Sequence, residues 1–200
     1  VRSYHHGDLR AQLLARAAVL VARDGAEAFS LRAVAAELGV SHTAPRHHFG
    51  DRQGVFTALA TEGYALLDEA LAAAGPLGFR EVGVAYVRFA VDHPGHFAVM
   101  HAPDLVHADD PGLVAAADRT NRRLRDGVAT LSPGTPEQVA VRAAAAWALV
   151  HGLATLALSG ALAHDHLVGD GPDDLRRLVL QATSLLDLRR DPDPDDPHEH

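Results

Sequence analysis

Leu9, Leu13, Leu14, Ala17, Leu20 and Val21 recur at three- and four-residue spacing, which predicts a helix from about Asp8 to Arg23 with Gly25 as its C-terminal stop. Leu31, Val34, Ala35 and Leu38 then fall at i, i+3, i+4 and i+7, a one-sided stripe for a short helix capped by Ser30 and ended by Gly39. A single tight turn separates it from a third. There Gly39 supplies the permissive backbone, Val40 an apolar plug between helices, and Ser41 the predicted N-cap of a helix over His42 to Phe49. From Asp51 a longer helix is expected to about Ala73, with Val55, Leu59, Leu66, Leu67 and Leu71 available for burial and Gly75-Pro76 as its breaker.

Helical spacing continues over about 79–92, 94–102, 111–131, 135–162 and 172–189, with Pro or Gly clusters between the segments and no strand-type alternation. The fold class expected is therefore all-α. An N-terminal three-helix domain over 8–50, with helix-turn-helix geometry, precedes a larger helical domain over 51–190. Residues 1–7 are expected to be a flexible arm. Residues 191–200 hold three Pro and five acids with no apolar side chain, so a disordered tail is expected there.

Composition narrows the classes. With 48% hydrophobic residues among 200, the chain has material for a packed core. It has no cysteine, which excludes disulfides and thiolate metal sites. The polar start and the shortness of the apolar run Ala143 to Val150 argue against a signal peptide or a membrane span, and the location expected is cytoplasmic. The net charge of -8 is unevenly spread: residues 1–56 hold seven Arg against five acids, the remainder eleven Arg against twenty-one. A basic end on an acidic body approaches phosphate in one orientation.

Two short helices joined by a Gly-containing turn, the second exposing polar residues, can lay a helix in the major groove of DNA. The same pattern also describes a plain structural hairpin. The segments Phe29-Ser30-Leu31-Arg32, Ala35-Ala36-Glu37-Leu38-Gly39-Val40-Ser41 and His47-His48-Phe49-Gly50-Asp51-Arg52 resemble the TetR family signature in order and spacing, over roughly residues 8–56. Trp147 with His151-Gly152 resembles a Trp-x-x-x-His-Gly word in one branch of TetR C-terminal domains. The resemblance implies a dimeric DNA-binding regulator whose C-terminal domain binds a ligand. It implies caps at Ser30 and Ser41 with helix N-termini facing phosphate, and Arg32, His42, Thr43, Arg46 and His47 at the groove or its flanks. Arg52 stands where the family usually has Lys and is expected on a backbone phosphate. Ala44-Pro45-Arg46 departs from the commoner Thr-Leu-Tyr. With Ser41 as cap, Pro45 would end the first turn and make it irregular.

In the C-terminal part Tyr86, Phe89, Phe97, Met100, His101, Trp147 and His151 are candidates for a pocket taking a small, mainly apolar ligand, or for ordinary core. Of His93, His96, His101 and His107, spread across a Pro-Gly turn and a predicted loop, only His93 and His96 have plausible chelate spacing, so no metal or other cofactor is expected. No catalytic motif is present, and Ser159-Gly160 reads as small residues at a close helix contact. Leu175, Leu178, Val179, Ala182, Leu185 and Leu186 form one stripe, which the resemblance assigns to a homodimer interface. The function expected is a ligand-responsive repressor, not an enzyme, on a near-palindromic operator. Two alternatives stand beside it: a ligand-independent dimeric DNA-binding protein, and a helical binding or enzymatic protein with a structural N-terminal hairpin.

Overall fold

The computed structural model describes residues 6–164, 169 and 171–186, and the expected arm and tail lie largely or wholly outside them. The helices in chain order are α1 (His6–Ala28), α2 (Leu31–Glu37), α3 (Ala44–Phe49), α4 (Arg52–Ala74), α5 (Phe79–Asp92), α6 (Pro94–Met100), α7 (Pro111–Leu131), α8 (Pro136–Leu158), α9 (Ala161–His164) and α10 (Pro172–Ser184). Short 3-10 turns occupy Gly75–Leu77 and Pro103–Leu105, and no strand occurs among the described residues. The all-helical expectation holds. Packing divides the described residues into two compact units, which fall within Val1–Glu69 with Phe89–Asp118 and within Ala70–Arg88 with Arg119–His200.

In the first unit Leu13, Leu14, Ala17, Leu20 and Val21 of α1 are buried, as are Val34 and Ala35 of α2, Pro45 of α3, and Val55, Phe56 and Leu59 of α4. These are largely the positions that helical spacing marks. Gly25 (φ 83) breaks α1 before its last residues, so the predicted stop is a left-handed kink followed by a further turn to Ala28. The rings of Phe29 and Phe56 meet at 5.0 Å. α6 lies against α1 so closely that a Cβ built on Gly95 would sit 2.0 Å from the Ala18 carbonyl oxygen. It is joined to α4 by His96 Nε2 and Glu62 Oε2 at 3.0 Å and by the Tyr64 hydroxyl, which donates to the Met100 carbonyl at 3.0 Å.

In the second unit α8 opens on a capping box: the Gln138 amide donates to Thr135 Oγ1 (3.3 Å), and the Thr135 amide to Gln138 Oε1 (2.9 Å). Gly83 of α5 faces α8 and α10, where an added Cβ would contact Val150 and Thr183 side chains at 3.3 Å. The expected continuous helix over 135–162 ends instead at Leu158. Gly160 takes φ 76 with nothing within 4 Å of its Cβ position, so it terminates a helix instead of lining a close contact. By length and composition alone α8 could cross a bilayer, a feature the run Ala143 to Val150 understates, and most of its apolar window is not buried within the protomer.

Candidate functional site

The candidate reading head is α2, the turn after it, and α3. Ser30 caps α2 as expected, its hydroxyl accepting the Ala33 amide at 3.2 Å. Ser41 does not cap α3. Its hydroxyl accepts the Thr43 amide (3.3 Å) and meets the Thr43 hydroxyl (2.8 Å), while its carbonyl accepts the Ala44 amide (2.9 Å). This turn delays the helix to Ala44, with Thr43 at the cap position and its carbonyl taking the His47 amide at 3.0 Å. Pro45 then falls in the first turn, where a missing amide costs nothing and its fixed φ suits the helix. The expected irregular first turn is thus replaced by a later start, and Pro45 is buried as a plug against the unit.

Ser30, Arg32, Ser41, His42, Thr43, Arg46, His47 and Arg52 are all exposed. His47 and His48 stand edge to face at 5.4 Å, and the Arg10 guanidinium lies 5.0 Å over the Phe49 ring, tying α1 to the end of α3. Arg16 pairs with Glu37, which removes the one acid of α2 from the charge balance of this surface. Arg52 is more engaged than expected: its Nη2 donates to the carbonyls of Ala26 and, at 3.4 Å, Glu27, and its guanidinium lies 5.0 Å over Phe56. These carbonyls follow the Gly25 kink and need a donor from outside their helix.

Residues given no site role in the sequence expectation hold the corner between α3 and α4. Gly50 (φ 78) turns the chain, its amide donating to Arg46 (2.8 Å), and the Asp51 amide donates to Phe49 (3.0 Å). Gly54 admits the Phe49 carbonyl, since a Cβ there would lie 1.8 Å from that oxygen. Asp51 Oδ1 accepts the Gly54 amide at 2.7 Å. That bond, and secondarily the nearby His107 imidazole at 3.4 Å, hold the Asp51 carboxyl below its ordinary range. The buried Thr57 hydroxyl accepts the His107 amide at 2.8 Å. A glycine three residues into a predicted helix was the one available signal.

The candidate pocket residues belong to both units, and each group is described within its own. In the second unit the Trp147 Nε1–H donates to the Tyr86 hydroxyl at 3.2 Å, and that hydroxyl lies 3.0 Å from His151 Nδ1. The Tyr86 oxygen accepts from Trp147 and keeps its own proton for a second bond, so with the Nε2–H tautomer of a neutral imidazole it donates to Nδ1. Burial lowers the His151 pKa and favours that neutral form. Tyr86 is buried, His151 half-buried, and Trp147 41% exposed, so one flank of the cluster remains accessible. In the first unit Phe97 and His101 rings meet at 5.4 Å, Phe89 and His93 at 5.1 Å, and Met100 is buried with its sulfur against Gly63. On α10 Val179 is sealed inside the protomer and Leu175, Leu178 and Ala182 are half-buried; the helix ends at Ser184, short of the expected stripe's last two residues, so that Leu185, 85% exposed, and half-buried Leu186 follow it.

Residues 13–59 match the family model for bacterial regulatory proteins of the tetR family, and residues 79–183 match a tetracyclin repressor-like C-terminal domain. No curated protein matches the chain. Among solved structures it is similar to a protein of unknown function from Rhodococcus sp. RHA1, at 35% identity over 92% of this chain and 96% of that one, with a TM-score of 0.68. The fold is shared with the TetR family transcriptional regulator PfmR from Thermus thermophilus, at 20% identity over 87% and 96% of the two chains and a TM-score of 0.66. It is shared also with the ketosteroid transcriptional regulator KstR2 of Mycobacterium tuberculosis, at 16% identity over 92% and 93% and a TM-score of 0.56. With both family models matched in order along the chain and a relative at 35% identity over nearly its whole length, the chain belongs to the TetR family of regulatory proteins.

Proposed function

We propose that the protein is a ligand-responsive repressor that binds a near-palindromic operator as a homodimer. The observation that carries this reading is that His42 and Thr43 before α3, and Arg46 and His47 on it, are exposed while Pro45 of the same helix is buried and anchors it. In the groove Arg46 pairs with a guanine edge or a phosphate, His42, Thr43 and His47 read neighbouring positions, and Arg32 with Ser30 and Ser41 holds the flanking backbone. Arg52 uses Nη2 to secure the reading head and reaches phosphate with its remaining donors.

Dimerisation is supported by apolar surface that a lone protomer leaves in water. On α8 Val141 is 69% exposed and Leu156 and Leu158 are exposed beside small residues, and Leu185, just past the end of α10, is exposed as well. A location inside the cell accompanies this reading. The ligand reading rests on the accessible flank of Trp147 and His151, which suits a small, mainly apolar molecule with one polar end.

The test is selection of duplexes from random DNA by the full chain. Enrichment of a near-palindrome with half-sites about 34 Å apart is expected; enrichment of no duplex overturns the reading. Trp147 is the sole tryptophan, so its fluorescence reads the candidate ligand site. A saturable change on titration with a panel of apolar acids, phenols and amides is expected, accompanied by release of the selected duplex. The mutual hydrogen bonding of Trp147, Tyr86 and His151 favours a second reading, a ligand-independent dimeric DNA-binding protein. Under that reading the fluorescence stays constant across the panel.

A further inference from the structure

We propose that His107, in the connector after α6, is a positioning residue for sequence-specific DNA reading: it latches the first turns of α4, on which the recognition helix α3 is seated. The inference rests on the DNA-binding reading above and adds to it a residue far outside the helix-turn-helix.

The seat is rigid for stated reasons. Between Phe49 and Asp51 the chain turns through Gly50 alone, and Gly54 brings the Phe49 carbonyl into contact with α4 where any Cβ would collide. A shift of the first turn of α4 therefore carries the end of α3 with it. Base readout depends on donor and acceptor positions held within a few tenths of an ångström, so such a shift changes specificity before it changes overall charge attraction.

His107 grips this turn twice. Its backbone amide donates to Thr57 Oγ1 at 2.8 Å, and the Thr57 hydroxyl in turn donates to the Gln53 carbonyl at 2.8 Å, so both of its roles are assigned and its oxygen is buried. Its imidazole Nε2 lies 3.4 Å from Asp51 Oδ1, the oxygen that also receives the Gly54 amide. One residue thus spans from the start of α4 to its second turn. The connector that carries His107 follows α6, which has its own fixed contacts: backbone to backbone on α1 at Gly95, and His96 to Glu62 on α4. The structural unit that holds the reading head accordingly includes Phe89–Asp118 as well as the N-terminal helices.

The experiment uses the full-length chain, a duplex enriched by the native protein from random DNA, and a scrambled duplex of equal length. Thr57→Val removes the acceptor with little change of shape, His107→Ala removes the imidazole at a site 46% exposed, and Thr57→Ser keeps the hydroxyl. Thr57→Val, which strands the His107 amide, is expected to weaken binding to the selected duplex by about 10-fold, and His107→Ala, which removes only the exposed contact to Asp51, by about 3-fold. Affinity for the scrambled duplex and the salt slope stay at native values, and Thr57→Ser stays within about 2-fold of native. A merely structural role lowers the melting temperature without moving the ratio of the two affinities, so an unchanged ratio in both variants overturns the proposal. An equal loss on both duplexes, or a reduced salt slope, overturns it too by making His107 a direct phosphate contact. If Thr57→Val fails to fold, His107→Ala decides. Failure of the native chain to enrich any duplex marks the failure of the DNA-binding reading itself, which is a separate result.

Discussion

His151 shows how one titratable residue links packing to a measurable property. It is half-buried beside Tyr86, and burial disfavours its charged form, which lowers its pKa below the ordinary histidine value of 6.5. The unfolded chain therefore binds the proton more readily than the folded one, and the contribution to stability is present above pH 6.5 and lost as pH falls below it. Thermal unfolding followed from pH 7.5 to pH 5 is expected to show a larger fall for the native protein than for His151→Gln, which does not titrate. Equal falls would remove His151 from the pH dependence. The Trp147-His151 pair is legible in the sequence because residues one helical turn apart share a face. Tyr86 is 61 residues from Trp147, and its place between the two side chains comes from packing alone.

At the scale of elements, boundaries follow local chemistry closely where one signal acts and less well where two compete. α5 and α7 begin and end where spacing predicts, at Phe79–Asp92 and Pro111–Leu131, because Gly or Pro punctuation bounds each. At α3 two preferences disagree. Ser41 favours an N-cap, whereas Pro45 favours the first turn, and both cannot hold in a helix starting at His42. The turn bonded through Ser41 and Thr43 resolves this by moving the start to Ala44. At α6 the decisive residue is Gly95, whose missing side chain lets α6 touch the backbone of α1. Gly95→Ala forces the helices apart and is expected to cost about 1–3 kcal/mol in urea unfolding, in line with overpacked contacts. A change below about 0.5 kcal/mol would mean that the contact is not tight in solution. Sequence spacing does not distinguish Gly95 from the other turn glycines near Pro residues.

For the whole molecule the notable quantity is apolar surface left uncovered. α8 is an apolar helix, yet Val141, Leu156 and Leu158 remain exposed, and such a surface is covered by a second copy in the function proposed here. Sedimentation at micromolar concentration is expected to give a dimer for the native chain and a monomer for Val141→Asp with Leu185→Asp, each protomer keeping its helical content. A double variant that stays dimeric would move the interface elsewhere. The helical class, the succession of the main helices and the helix-turn-helix were set by local information: spacing of apolar side chains, capping preferences and turn residues act within a few positions of one another. Other features needed the folded chain. The seat of α3 on Gly54, the grip of His107 on Thr57 and Asp51, the hold of Arg52 on the end of α1 and the Tyr86 bridge each join residues that are distant in sequence or matched only in shape. No periodicity encodes such pairs; they exist because close packing brings particular donors, acceptors and backbone atoms within bonding distance.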